Sequence, residues 1–119
     1  MNSRAALGAY GEGLAADHLR RQGLVILDRN WRCEAGELDI IAREGNTLVI
    51  CEVKTRRSNS HGSPLEAVGQ RKLTRLRGLA TRYILDKRID PKAVRFDVVG
   101  IVQPFDEPPQ LTHVRGVEE

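Results

Sequence analysis

The chain has 119 residues, enough to bury one hydrophobic core and not two. A hydrophobic fraction of 40% and a charged fraction of 29% are those of a folded globular domain, and no run approaches the roughly 18 apolar residues that a spanning helix needs. The formal charge is only +3, yet eleven bases stand against three acids between Lys54 and Lys92. This local excess suits a polyanionic partner or a solvated basic helix.

The first twenty-odd residues place Leu7, Gly11, Leu14, Ala15, His18 and Leu19 at helical spacing, which predicts an amphipathic helix over 3–22 ending at Gly23. Glu12 lies where a signal peptide would be apolar, so a cytoplasmic protein is expected. Leu24 to Leu27 read as a first strand and Asp28, Arg29 and Asn30 as a turn, with Trp31 over the core edge. Residues 36–56, GELDIIAREGNTLVICEVKTR, supply two more strands. RSNSHGS then reads as a loop, and Ser63, Pro64 and Glu66 as the start of a second helix that continues through Leu73, Leu76, Leu79, Ala80 and Tyr83, with Gly69 as a break. Ala93–Val102 is a Val- and Ile-rich strand, and Leu111–Val114 a short edge strand. The expected architecture is α/β: one domain over 1–119, ordered αβββαβ plus a small strand. Cys33 and Cys51 are too few for a disulfide framework or a four-ligand zinc site and read as reduced thiols.

The hairpin carries the chemistry. Gly45 and Asn46 tolerate positive φ and suit a two-residue turn. Pairing outward sets Ala42 against Val49, Ile40 against Cys51 and Leu38 against Val53, an apolar side that forms the core face. The other side sets Ile41 against Ile50, Asp39 against Glu52 and Glu37 against Lys54. Opposed carboxylates about 5 Å apart repel, so a shared proton or, more effectively, a divalent cation is expected between them. Mg²⁺ takes carboxylate oxygens together with water and phosphate. Lys54, on the same side, is placed to hold or deprotonate a water or to stabilise charge at phosphorus. A plain ion pair of Glu37 with Lys54 at a solvated sheet end accounts for the same residues, and D-x12-E-x-K is a loose pattern.

Glu12 falls on the line Gly8, Glu12, Ala15, Leu19, bordering the stripe that packs on the sheet, with Gly11 and Gly13 permitting close approach. It is a candidate third acid in one cleft; a boundary glutamate reaching water is the alternative. Asp97 is expected in a structural ion pair with Arg56 or Arg95. His18, His61 and His113 are far apart in sequence and fit no nucleophilic constellation. Aromatics are 4% of the chain with none inside the basic helix, so base stacking gives way to backbone contact by Arg and Lys.

The blocks GEGLAADHL, GELDII, EVKTR, Lys72 and RFDVV, in that order over about residues 8 to 102, resemble the YraN-like family of small bacterial proteins. That family belongs to the PD-(D/E)xK nuclease superfamily, with restriction endonucleases and Holliday-junction resolvases. The resemblance implies a restriction endonuclease-like fold with a central mixed sheet flanked by helices, and phosphodiester hydrolysis in nucleic acid, DNA first, with Mg²⁺ or Mn²⁺. It matches Asp39 and Glu52 to the metal-binding acids, Lys54 to the catalytic lysine, Val53 to the backbone carbonyl that completes the metal site, and Glu12 to the helical acid. Gln70 and Lys72 match residues near the scissile phosphate, and Arg56, Arg71 and Arg75 of the basic segment join them as expected nucleic-acid contacts. Leu38 replaces the proline before Asp39, a position that makes no metal contact. Two other readings stay open: a non-catalytic nucleic-acid-binding module and an interaction scaffold. Whether the chain pairs into a homodimer is open too.

Overall fold

The computed structural model describes residues 3–58, 60 and 69–117. Within them the elements are α1 (Ser3–Arg21), β1 (Val25–Cys33), β2 (Gly36–Glu44), β3 (Thr47–Arg56), α2 (Gln70–Lys87), β4 (Ala93–Val102) and β5 (Gln110–Val114). The five strands form one sheet in the order β1-β2-β3-β4-β5. Pairing is antiparallel except between β3 and β4, which run parallel with α2 in the connection between them.

Each face of the sheet is covered by one helix. Ala15, Ala16 and Leu19 of α1 pack on Ile40, Ala42, Val49, Cys51, Val99 and Ile101. Leu76, Leu79, Ala80 and Tyr83 of α2 pack on Leu38, Ile41, Leu48 and Ile50. The hairpin face expected to carry mainly charge is therefore core as well, because Ile41 and Ile50 are as buried as Ile40 and Cys51. Full burial of such side chains stabilises by roughly 1.5–3 kcal/mol each. α1 approaches β3 closely at Gly11, where a Cβ would lie 1.8 Å from Thr55 Oγ1. Only glycine permits this, and the neighbouring Glu12 is thereby brought beside the end of β3.

The hairpin turns at Gly45 (φ 59) and Asn46 in the expected register, with Ile40 opposite Cys51, Ile41 opposite Ile50 and Ala42 opposite Val49. β1 departs from expectation. It continues to Cys33 instead of turning at Asp28 to Asn30, absorbing a register shift between Ile26 and Asp28 and a left-handed Asn30 (φ 54). β2 is long enough to pair it throughout, and Tyr83 Oη donates to Asp28 Oδ2 at 2.9 Å. Trp31 lies within β1, edge-on to Tyr83 at 5.4 Å. Gly69 is the N-cap of α2. The Ser63, Pro64 and Glu66 cap and His61 lie outside the described residues. No helix among the described residues is long and apolar enough to cross a membrane.

Candidate active site

The β2–β3 ladder runs from Glu44 opposite Thr47 to Ile40 opposite Cys51, and there it stops. β2 goes on pairing with β1, through Arg32 opposite Glu37 to Cys33 opposite Gly36, while β3 stays with β4 as far as Arg56 opposite Val102. The sheet thus forks, with Asp39 in the fork. Asp39 Oδ2 accepts a hydrogen bond from the Val53 amide at 2.9 Å, taking over a donor that the ladder has released. The expected pairing of Glu37 with Lys54 is absent, because the strands have parted. Glu37 instead meets Arg32 at 3.2 Å. Leu38 has also left the α1 face for the α2 cluster. Lys54 is left exposed, with no ion-pair partner among the described residues.

Glu52 follows Ile50 on the α2 face and is 8% exposed. Its Oε1 lies 3.2 Å from Lys72 Nζ, while its Oε2 is buried with no hydrogen-bond partner. Burial first, and the Asp39 carboxylate second, push the Glu52 pKa up to about 7, with Lys72 pulling the other way. Asp39 is within hydrogen-bonding reach of Glu52, so the two can share one proton. The acids expected to oppose each other therefore meet in space across the fork instead of as ladder partners.

An open cleft of about 450 Å³ adjoins this pair, lined by Gly8, Glu12, Arg29, Asn30, Glu37, Asp39, Val53, Lys54 and Thr55 among others. Glu12 lies on its α1 wall, where Oε1 accepts from Arg29 Nε and Asn30 Nδ2, each at 3.0 Å. Among the described residues no three His, Cys, Asp or Glu side chains come close enough to hold a metal together. Glu12 therefore does not form a tight trio with Asp39 and Glu52, as its engagement by β1 explains. The two remaining carboxylates still fit Mg²⁺ or Mn²⁺, which bind through one or two carboxylates and fill their shells with water and phosphate. The donor-free Glu52 Oε2 is an oxygen of the right kind for such an ion.

The expected nucleic-acid contacts divide. Lys72 is half-buried against Glu52, whereas Arg71 and Arg75 are exposed on the first turns of α2. Arg56 is half-buried at the end of β3. Gln70 opens α2, and its side chain lies outside the described part.

The expected Asp97 ion pair proves to be part of a larger cluster, whose His113, His18 and Gly116 members the sequence reading missed. Asp97, fully buried, accepts from Arg95 Nε at 2.9 Å and from the Gly116 amide at 3.0 Å, and its Oδ2 lies 2.8 Å from His113 Nε2. Burial pushes the Asp97 carboxyl up, but the His113, Arg95 and Gly116 hydrogen bonds outweigh it and hold the pKa at about 2. His113 Nδ1 in turn lies 3.1 Å from His18 Nε2 on α1. Burial, then His113, Arg21 and Arg115, lower the His18 pKa. Arg95, and not Arg56, supplies the expected ion pair. The network ties β5 and the segment after it to β4 and α1. Its only sequence signal was the alternation of Asp97 with Phe96 and Val98.

The family model described as "Uncharacterised protein family UPF0102" matches residues 11–101. A UPF0102 protein of Nocardioides is 54% identical over 114 residues, covering 96% of this chain and 92% of the relative. One of Streptomyces griseus is 51% identical over 119 residues, covering 98% and 99%. One of Acidothermus cellulolyticus is 50% identical over 125 aligned positions, covering 97% and 95%. The chain belongs to the UPF0102 family.

Proposed function

We propose that this UPF0102 protein is a divalent-metal-dependent phosphodiesterase acting on nucleic acid, DNA first, on a restriction endonuclease-like fold of the PD-(D/E)xK kind. One observation carries the reading: two acidic side chains, one buried with an oxygen that no donor satisfies, meet in a sheet fork that opens on a cleft containing a lysine. Such a buried carboxylate costs stability, and a cation is the simplest group that removes the cost. The blocks that resemble the YraN-like family, GELDII and EVKTR, are the two strand ends that form the fork.

Asp39 and Glu52 would hold Mg²⁺ or Mn²⁺, with the Val53 main chain beside them. Such an ion supplies positive charge that acidifies water and neutralises phosphate. Lys54 lines the same cleft, where its ammonium would hold the attacking water or the phosphoryl oxygens. Arg71 and Arg75 grip the backbone through phosphate, which positions the substrate without reading its sequence. Lys72 neutralises Glu52 and adds to that basic edge. Glu12, fixed by Arg29 and Asn30, lends negative charge to the far wall.

Incubation with branched, nicked and single-stranded DNA plus Mn²⁺ tests the reading. Cleavage is expected for the wild-type protein and its loss for Glu52→Gln and Lys54→Ala; cleavage that survives in both variants overturns it. A second reading is favoured by the Lys72–Glu52 and Arg29–Glu12 ion pairs, which already supply cations to two of the acids. In that reading the chain is a non-catalytic nucleic-acid-binding module. It predicts salt-sensitive DNA binding that divalent metal leaves unchanged.

A further inference from the structure

Next to the acid cleft lies a second groove of about 580 Å³, lined by Leu7, Tyr10, Arg57, Gln103, Glu107 and Pro109 among others. Leu7 lines both, so they are neighbours on one surface. Tyr10 lines this groove, and Phe105 stands beside it against the Arg57 wall. Tyr10 is 46% exposed, and Phe105, at 80%, is the most exposed large apolar side chain among the described residues. The Arg57 guanidinium lies 4.3 Å over the Phe105 ring, which leaves the outer face of that ring open.

These groups share one frame. Gln103 Oε1 accepts from Tyr10 Oη at 2.8 Å, and Gln103 Nε2 donates to the carbonyls of Pro104 and Glu107, each at 2.8 Å. The Gln103 amide donates to the Arg56 carbonyl at 2.7 Å, and the Gln103 carbonyl accepts from Arg57. The loop after β4 is thus fastened to the end of β3. The few rings of the sequence spoke against base stacking, but an exposed aromatic ring beside a flat cation presents a surface on which one base stacks. Arg57 and Glu107 nearly cancel in charge, which favours a base over a phosphate at this spot. Arg57 directly follows β3, three residues beyond Lys54, about 10 Å at the rise of a strand.

We propose that the open face of Phe105, at the Arg57 edge of the groove that Tyr10 lines, stacks an unpaired nucleobase near the phosphate held in the acid cleft. The substrate class is then a strand with an unpaired segment, such as a frayed end, a gap or a branch, since a closed duplex hides its base faces. The inference rests on the nuclease reading and narrows its substrate.

The test is fluorescence anisotropy with a labelled short oligothymidylate and a blunt duplex of equal length, in EDTA so that nothing is cut. Phe105→Ala should weaken single-strand binding on the order of 5- to 100-fold, the worth of one stacked base. Phe105→Trp should retain it, and duplex binding should stay within twofold in both. Unchanged single-strand affinity in Phe105→Ala, or an equal loss on both probes, overturns the stacking groove and leaves the nuclease reading standing. A change of molecular mass in Phe105→Ala by ultracentrifugation, with affinity unaltered, overturns it in favour of a contact between copies of the chain. Failure of the wild-type protein to bind either probe at low salt overturns both readings.

Discussion

Replacing Glu52 by glutamine keeps the shape of the side chain and removes its charge, so it isolates what the buried carboxylate costs the fold. Burial and the Asp39 carboxylate lift the Glu52 pKa from 4.5 to about 7 against the pull of Lys72. At about 1.4 kcal/mol per pH unit, that displacement makes folding with Glu52 ionised roughly 3 kcal/mol less favourable than folding with it neutral. The folded state binds this proton more tightly than the unfolded one. The penalty is therefore absent below pH 4.5, grows as the pH rises, and is complete above about 7. Glutamine escapes the penalty but leaves Lys72 without its partner. The expected net gain near pH 8 is about 2 kcal/mol, or roughly 8 °C in Tm for a chain of this length. Below pH 4.5 the gain disappears. Thermal or urea unfolding of both proteins across this range, in EDTA, measures it. Stability curves that run parallel, or a variant less stable than wild type at the alkaline end, refute the reasoning.

Gly11→Ala puts a Cβ 1.8 Å from Thr55 Oγ1 and 2.8 Å from Thr55 Cβ, so a loss of about 1–3 kcal/mol is expected in urea unfolding, partly recovered by adding Thr55→Ala. Asp97→Asn breaks a buried ion pair and should cost about 3 kcal/mol near neutral pH. Because the Asp97 pKa is held at about 2, below its ordinary 3.8, its contribution is present above 3.8 and lost as the pH falls through 2; the gap between wild type and variant should close only in that window. At Asn30, Ala should destabilise more than Gly by roughly 1 kcal/mol, since both lose the bond to Glu12 but only Ala also strains at φ 54. Equal effects in thermal unfolding would show that the left-handed backbone contributes nothing.

The hairpin was legible because its information is local. Gly45-Asn46 sets the turn, and the turn sets every pair out to Ile40 and Cys51. Beyond that point the outcome depends on β1 and β4, which compete for the same two strands, and nothing within residues 36–56 signals that β2 will leave β3 at Asp39. The fork, the turn of Leu38 to the α2 face and the meeting of Glu37 with Arg32 all follow from that competition. Asp39 and Glu52 were expected as ladder partners and meet across the fork instead; the resemblance had put Lys72 near the scissile phosphate, but its ion pair with Glu52 had no local signal, since it depends on where α2 lands. The strand through Asp28 to Asn30 was missed because polar residues read as a turn when their partners, Tyr83 and Glu12, are remote in sequence. His18 and His113 were invisible as a pair for the same reason.

The central claim is that Asp39 and Glu52 together form a divalent-cation site. Calorimetric titration of Mn²⁺ into the metal-free protein near pH 8 tests it most directly. The account predicts saturable binding in the wild-type protein that weakens as the pH falls below about 7 and Glu52 takes up its proton, and that vanishes in Asp39→Asn. Binding heats that are the same in wild type and Asp39→Asn, or that do not change across pH 7, would contradict it.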